Sequence, residues 1–259
     1  MRLQEILHHK MAGQGQVVVL LHGLFGSMDN LAAAGRSLAD TYQTLAVDLR
    51  NHGRSFHSDA MSIELMAEDL LRLLDHLELP QVTLVGHSLG GKVAMQVALL
   101  QPERVRALVV GDIAPVTYPG GHEDVRQALG SWPASGMDSR QQADTWLAAF
   151  VPEPGVRQLL IKSLVRTPQG PLIWRMNAKA LLDNYDSLRA WPAQQASFGG
   201  PVLFVKGDAS DYIRPEHRAV IQRLFPAAQV RILAGAGHWL HADKPVLFQS
   251  VLHRFLASL

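Results

Sequence analysis

Ser88 stands in the run Val82-Thr83-Leu84-Val85-Gly86-His87-Ser88-Leu89-Gly90-Gly91-Lys92, where residue types and spacing suit a nucleophile. The residues before it are a short β-branched run, the pattern of a buried strand. Those after it place Val93, Ala94, Val97 and Ala98 at helical spacing. A serine on so sharp a strand-to-helix turn has a strained backbone, and glycines at 86 and 90 remove side chains that would collide across it. The turn lifts the hydroxyl above the sheet and aims the free N–H groups of the new helix at whatever binds there. Gly-x-Ser-x-Gly by itself also describes a helix cap. The strand before it and the helix after it are what give the motif chemistry.

A serine hydroxyl attacks only when a neighbouring base takes its proton. Among 12 histidines, His238 has the right place, in the loop Gly235-Ala236-Gly237-His238 just past the last predicted strand. An imidazole there reaches back over the strand ends, and the order serine, acid, histidine fits. His87 adjoins Ser88, but the turn aims it away from the base position, and His241 reads as a surface or supporting residue. Asp112, Asp208 and Asp211 are all candidates for the acid that orients the histidine. The glycine-rich loop His22-Gly23-Leu24-Phe25-Gly26 supplies an anion pocket, with the backbone N–H groups of Leu24 and Leu89 as oxyanion donors and His22 as a brace. Phe25, His87, Trp174 and Trp239 are candidates for the substrate pocket wall. No His-Glu-x-x-His or other metal spacing occurs, so neither a metal nor another cofactor is expected.

Positioning these groups requires a parallel sheet. Val17–Leu21 is an unbroken apolar run, as in strands covered on both faces. Further strands are predicted over 44–48, 82–86, 106–110, 202–205 and 230–233, with an edge strand over 2–11. Helices are predicted near 31–40, 63–77, 89–100, 215–224 and 243–257, the second from Ile63, Met66, Leu70, Leu73, Leu74 and Leu77 and stopped by Pro80. Such alternation predicts an α/β fold, a mostly parallel twisted sheet with helices on both faces and ligands beyond the carboxyl ends of the strands. Residues 116–195 break the pattern, with seven prolines and the tryptophans at 132, 146, 174 and 191. They read as a helical cap over the site, its aromatics either its own core or a pocket wall. The expected division is a core of residues 1–115 and 196–259 and a cap of 116–195.

The 259 residues carry a net charge of +1 and no cysteine, which excludes a disulfide framework and a cysteine nucleophile and gives no pull towards nucleic acid or anionic membrane. The N-terminal residues lack the apolar core of a secretory signal, and Val17–Leu21 is too short to span a bilayer, so a cytoplasmic setting is expected.

Through His22-Gly23, Gly86-His87-Ser88-Leu89-Gly90-Gly91 and Gly235-Ala236-Gly237-His238 the chain resembles the α/β-hydrolase superfamily. The resemblance is nearest to its bacterial YbfF-type short-chain esterase and acyl-CoA thioesterase branch. It runs through Asp48-Leu49-Arg50-Asn51-His52-Gly53, Asp112-Ile113-Ala114-Pro115-Val116 and Trp174-Arg175-Met176-Asn177 as well. Most superfamily members carry the acid after the strand that here is 202–205, where this sequence has Ser210. The branch implies instead that Asp112 is the acid and Ser210 a supporting hydroxyl. It also implies a serine hydrolase that cleaves small-molecule carboxylic esters or acyl-CoA thioesters through an acyl-enzyme. Arg126, Arg157, Lys162, Arg166, Arg175 and Lys179 would suit a CoA phosphate, but nearby acids balance them, the pattern of a solvated surface. The same residues on this fold could also serve C–C bond hydrolysis, a lyase or perhydrolysis, or persist in a non-catalytic ligand-binding homologue.

Overall fold

The computed structural model describes residues 5–193 and 195–259. In chain order the elements are β1 (His9–Ala12), β2 (Val17–Leu21), α1 (Ala32–Leu38), β3 (Gln43–Val47), α2 (Ile63–His76), β4 (Val82–His87), α3 (Leu89–Leu100) and β5 (Val105–Gly111). Next come α4 (Glu123–Gly130), α5 (Arg140–Leu147), α6 (Pro154–Lys162), β6 (Leu164–Arg166), β7 (Leu172–Trp174), α7 (Ala178–Asp183) and α8 (Tyr185–Arg189). The chain closes with β8 (Val202–Gly207), α9 (Arg218–Leu224), β9 (Ala228–Leu233), α10 (Leu240–Asp243) and α11 (Pro245–Leu256).

Seven strands form one sheet in the order β1-β3-β2-β4-β5-β8-β9. All neighbours are parallel except β1, which runs antiparallel to β3. The expected edge strand is confined to His9–Ala12, and residues 2–4 of that expectation lie outside the described residues. The apolar runs are explained by the two faces of the pleat. In β2, Val19 and Leu21 join the core under α2 and α3, whereas Val18 and Leu20 join the core under α1 and α11. A strand buried on both faces has no position for a polar residue, which is why periodicity two is absent from its sequence.

Between β5 and β8 the helices expected over 116–195 are present, and so is an antiparallel hairpin of β6 and β7, three residue pairs long. The hairpin departs from the wholly helical insertion that the sequence pattern predicts. Three-residue strands are too short for a period to register, and Leu164 and Leu172 are buried within helical surroundings. Asn177 fastens the segment to the loop after β3, its N–H donating to the Asn51 carbonyl at 2.9 Å and its Nδ2 to Asn51 Oδ1 at 3.3 Å.

The β4–α3 turn leaves no room for a side chain at either flanking glycine. A Cβ on Gly86 would sit 2.2 Å from the Gly90 carbonyl oxygen, and one on Gly90 would sit 2.3 Å from that of Leu21. Since both obstacles are backbone, they cannot rotate aside. Gly90→Ala is expected to lower the melting temperature by roughly 2–12 °C, as overpacking of about 1–3 kcal/mol does in a domain of this size. Gly130→Ala, whose Cβ would meet Leu182 at an ordinary 3.7 Å, should leave it unchanged or raised. Differential scanning calorimetry of the two variants checks this, and an unshifted Gly90→Ala would contradict it.

Candidate active site

Three segments from the carboxyl ends of β4, β5 and β9 converge. Ser88 follows β4 with φ 52° and ψ −117°, a conformation that costs a non-glycine residue on the order of 1–3 kcal/mol. Its N–H donates to the Gly111 carbonyl at 2.9 Å, anchoring the bend to β5. Asp112, at the end of β5, also has a positive φ, 50°, and its N–H donates to Val205 of β8 at 2.8 Å. These two forced bends turn both side chains towards the loop after β9. There His238 Nε2 lies 3.0 Å from Ser88 Oγ, and Nδ1 lies 2.9 Å from Asp112 Oδ2. A carboxylate only accepts, so Nδ1 carries the proton and Nε2 offers a lone pair to the serine hydroxyl.

Asp112 is fully buried. Its other bonds come from the Gly207 N–H to Oδ1 at 3.1 Å and from the Ser210 hydroxyl to Oδ2. Of the three candidate acids, Asp112 is the one in contact with the imidazole. Asp208 is exposed, its carboxyl held below the usual range first by the backbone N–H of Gly235 in the adjoining turn. Asp211 is exposed at the rim of the cavity described below.

Other histidines act as two-ended ligands for the backbone. His22 Nδ1 bonds the Gly23 carbonyl at 2.8 Å, and its Nε2 accepts the Leu49 N–H at 3.1 Å. His52 Nδ1 bonds the Arg50 carbonyl at 2.9 Å, and its Nε2 accepts the Phe25 N–H at 3.2 Å. Each ring must therefore be the neutral Nδ1–H tautomer. Burial agrees, bringing His22 down to about 4 and His52 to about 3, with His22 adding to the latter. Together the pair clamps the loop on which Leu24 sits, and Phe25 there has φ 62°. Leu24 and Leu89 flank Ser88 in the cavity, and Leu89 is the first residue of α3, where an N–H has no partner within the helix.

His87, expected in the pocket wall, lines neither of the two cavities at Ser88. It is buried beneath the site, where its Nε2–H donates to the His238 carbonyl at 2.7 Å. Burial holds it well below the ordinary histidine value, with His241 and His238 adding to the effect. His241 is half-buried against it, ring centres 4.7 Å apart, and burial brings it down to about 4. Trp174 also lies outside the pocket. It packs on Trp132 at 4.4 Å, within an aromatic cluster that includes Trp146, because the hairpin turns it into the insertion. Phe25 and Trp239 do reach the site, lining a small cavity with Ser88 and His238.

The main cavity is about 300 Å³, and Ser88 lies on its wall with Leu24, Leu89, Ile113 and Leu188. Lys92, Tyr118, His122, Tyr185 and Tyr212 also line it, none of them singled out by sequence. Lys92 had a signal, since it lies four residues after Ser88 and so on the same face of α3. Its ammonium donates to the carbonyls of Arg189 and Ala190 at 2.7 and 2.8 Å, joining α3 to the end of α8. Burial, then Arg189, brings it down to about 7. Tyr212 lies flat on His238, ring centres 3.8 Å apart and planes at 19°.

The family described as alpha/beta hydrolase fold matches residues 16–149. Esterase YbfF of Escherichia coli K12 is 38% identical over 240 residues, covering 92% of this chain and 92% of that protein. The mouse sn-1-specific diacylglycerol lipase ABHD11 is 41% identical over 254 residues, 93% of this chain and 80% of its own. Among solved structures, a marine microorganism esterase superposes with a TM-score of 0.94 at 35% identity, over 97% of this chain and all 100% of its own.

The buried neutral histidines make stability depend on pH. Unfolded, each binds a proton near 6.5, whereas folded His22, His52, His87 and His241 do not until far lower. Below pH 6.5 the unfolded chain therefore holds more protons, and stability falls as pH falls, by about 1.4 kcal/mol per unit for each such histidine. Urea unfolding is expected to show a clear loss between pH 7.5 and 5.5. A flat profile would contradict the neutral tautomers.

Proposed function

We propose that this chain, which belongs to the α/β-hydrolase family and acts on esters, does so through an acyl-enzyme formed on Ser88. The observation that carries the reading is the unbroken hydrogen-bonded line from Ser88 Oγ through both nitrogens of His238 to Asp112. Ser88 attacks the ester carbonyl while His238 Nε2 takes its proton and Asp112 stabilises the imidazolium. The amides of Leu24 and Leu89 hold the oxyanion, an interaction worth about 10²–10³ in rate for each donor. His238 then passes the proton to the departing alcohol, activates a water and regenerates the serine. Ser210 acts through Asp112, holding its carboxylate in place. Residues 116–195 serve as the cap, joined to the core of residues 1–115 and 196–259 by Lys92 and Asn177.

Oxygen esters suit the site better than CoA thioesters. Arg189 and Arg214 line the cavity together with Asp211, Arg189 is paired with Asp186 and Arg214 with Glu216. Such a balanced mouth offers no phosphate-binding charge cluster.

A fluorophosphonate probe is expected to label Ser88, and Ser88→Ala to abolish labelling and lower kcat on the order of 10⁶-fold. Asp112→Asn should cost on the order of 10⁴, as the wrong imidazole tautomer does. Asp208→Asn and Asp211→Asn should stay within a few-fold of the parent. Release of acid and alcohol in equal amounts from an alkyl ester separates ester hydrolysis from C–C cleavage, lyase chemistry or simple binding. A fully active Asp112→Asn would overturn the assignment.

A further inference from the structure

Two cavities meet at Ser88, sharing Leu24, Ser88 and His122 and differing in volume, about 300 Å³ against about 20 Å³. His122 is the partition. Its Nδ1 lies 3.0 Å from the Tyr185 hydroxyl and its Nε2 3.3 Å from that of Tyr212, so a tyrosine braces it on either side. Burial pushes Tyr212 up to about 12, so its hydroxyl stays neutral.

The two cavities stand differently to the imidazole. Tyr212 lines the large cavity and lies flat on the ring of His238, which shields that ring from the large side. His238 itself lines the small cavity, with Trp239 beside it. The oxygen that departs must receive the proton held on His238, so the alcohol part of the ester leaves on the side that His238 borders. The rest of the small cavity is apolar, including Phe25, Val125, Val156 and Leu160. Its volume is little more than the roughly 10–15 Å³ that one water needs, so it has room for one or two carbons.

We propose that the small cavity is an alcohol subsite for methyl or ethyl groups and that the large cavity receives the acyl chain. The assignment rests on the acyl-enzyme reading above and gives it a substrate class, esters of a short primary alcohol with a larger acid. By reversal, the same subsite admits a short alcohol to the acyl-enzyme. Its oxygen bonds the carbonyl carbon as the bond to Ser88 Oγ breaks, and its proton passes through His238 Nε2 to Ser88, giving a new ester and free enzyme.

Two ester series followed by pH-stat titration test this, methyl to hexyl esters of hexanoic acid and ethyl esters of acetic to decanoic acid. In the first, kcat/KM should fall on the order of 10-fold for each methylene beyond ethyl, the lower range for a misfit in an apolar pocket. In the second it should rise with acyl length up to at least hexanoate. Val156→Phe, at a half-buried position, should lower the ethyl-to-methyl ratio on the order of 10-fold, and Val156→Ala should move the preferred alcohol one or two carbons longer. With added ethanol, ethyl hexanoate should form from methyl hexanoate, and less of it in Val156→Phe. The fluorophosphonate probe separates the two readings. Labelled protein with a flat alcohol series, or with Val156 variants that alter acyl preference instead, overturns the subsite assignment alone. Unlabelled protein overturns both.

Discussion

A carboxylate with no access to solvent is costly unless hydrogen bonds replace the water it has lost. Asp112 is in that position, and the site is built to meet its demand. The Gly207 amide, the Ser210 hydroxyl and the His238 imidazole supply three donors from two loops and a strand end. Removing one would leave a buried acceptor short of a partner, which is more damaging than losing the bond itself. The carboxylate thereby draws the β8 and β9 loops together, and His238 has one orientation because Asp112 accepts from one of its nitrogens. Ser88 and Asp112 both pay for this convergence with positive φ, at the ends of adjacent strands held in register by the sheet.

Neutral imidazoles provide the second layer of support. A histidine in the neutral form is both donor and acceptor on one rigid ring, so it can bridge a carbonyl and an amide that no shorter side chain would span. His22 and His52 do this beneath the Leu24 loop, their rings edge to face at 4.9 Å. His87 holds the backbone of His238 from below. Charging any of these rings would turn an acceptor nitrogen into a donor facing another donor or a void. Their burial and their tautomers are therefore one constraint, and three of the molecule's 12 histidines, His22, His52 and His87, are accounted for by it.

The sheet was legible because strands covered on both faces leave continuous apolar runs, and the helices because α2 repeats its apolar residues every three or four positions. The meeting of Ser88 with His238 was legible as well, since a strained bend needs glycines and the loop after the last strand reaches back over the strand ends. Which carboxylate meets the imidazole was not settled by residue chemistry. Asp112, Asp208 and Asp211 all follow strands, and which one reaches the imidazole depends on φ 50° at Asp112 and on the pairing of β5 with β8. Resemblance pointed to Asp112 where spacing left three choices. For Trp174 the sequence left core and pocket wall open, because an aromatic residue signals burial without saying against what, and here it packs in the insertion's own cluster. Tyr212 and His122 gave no sign because their importance lies in what they touch, across 90 residues of chain.

The measurement closest to the centre of this account is the proton on His238 Nδ1. Bound to a buried carboxylate, it should give a strongly deshielded resonance in the proton NMR spectrum of the protein. The resonance should vanish in Asp112→Asn and persist in Asp208→Asn and Asp211→Asn. Its survival in Asp112→Asn, or its loss in either of the other two, would contradict the account.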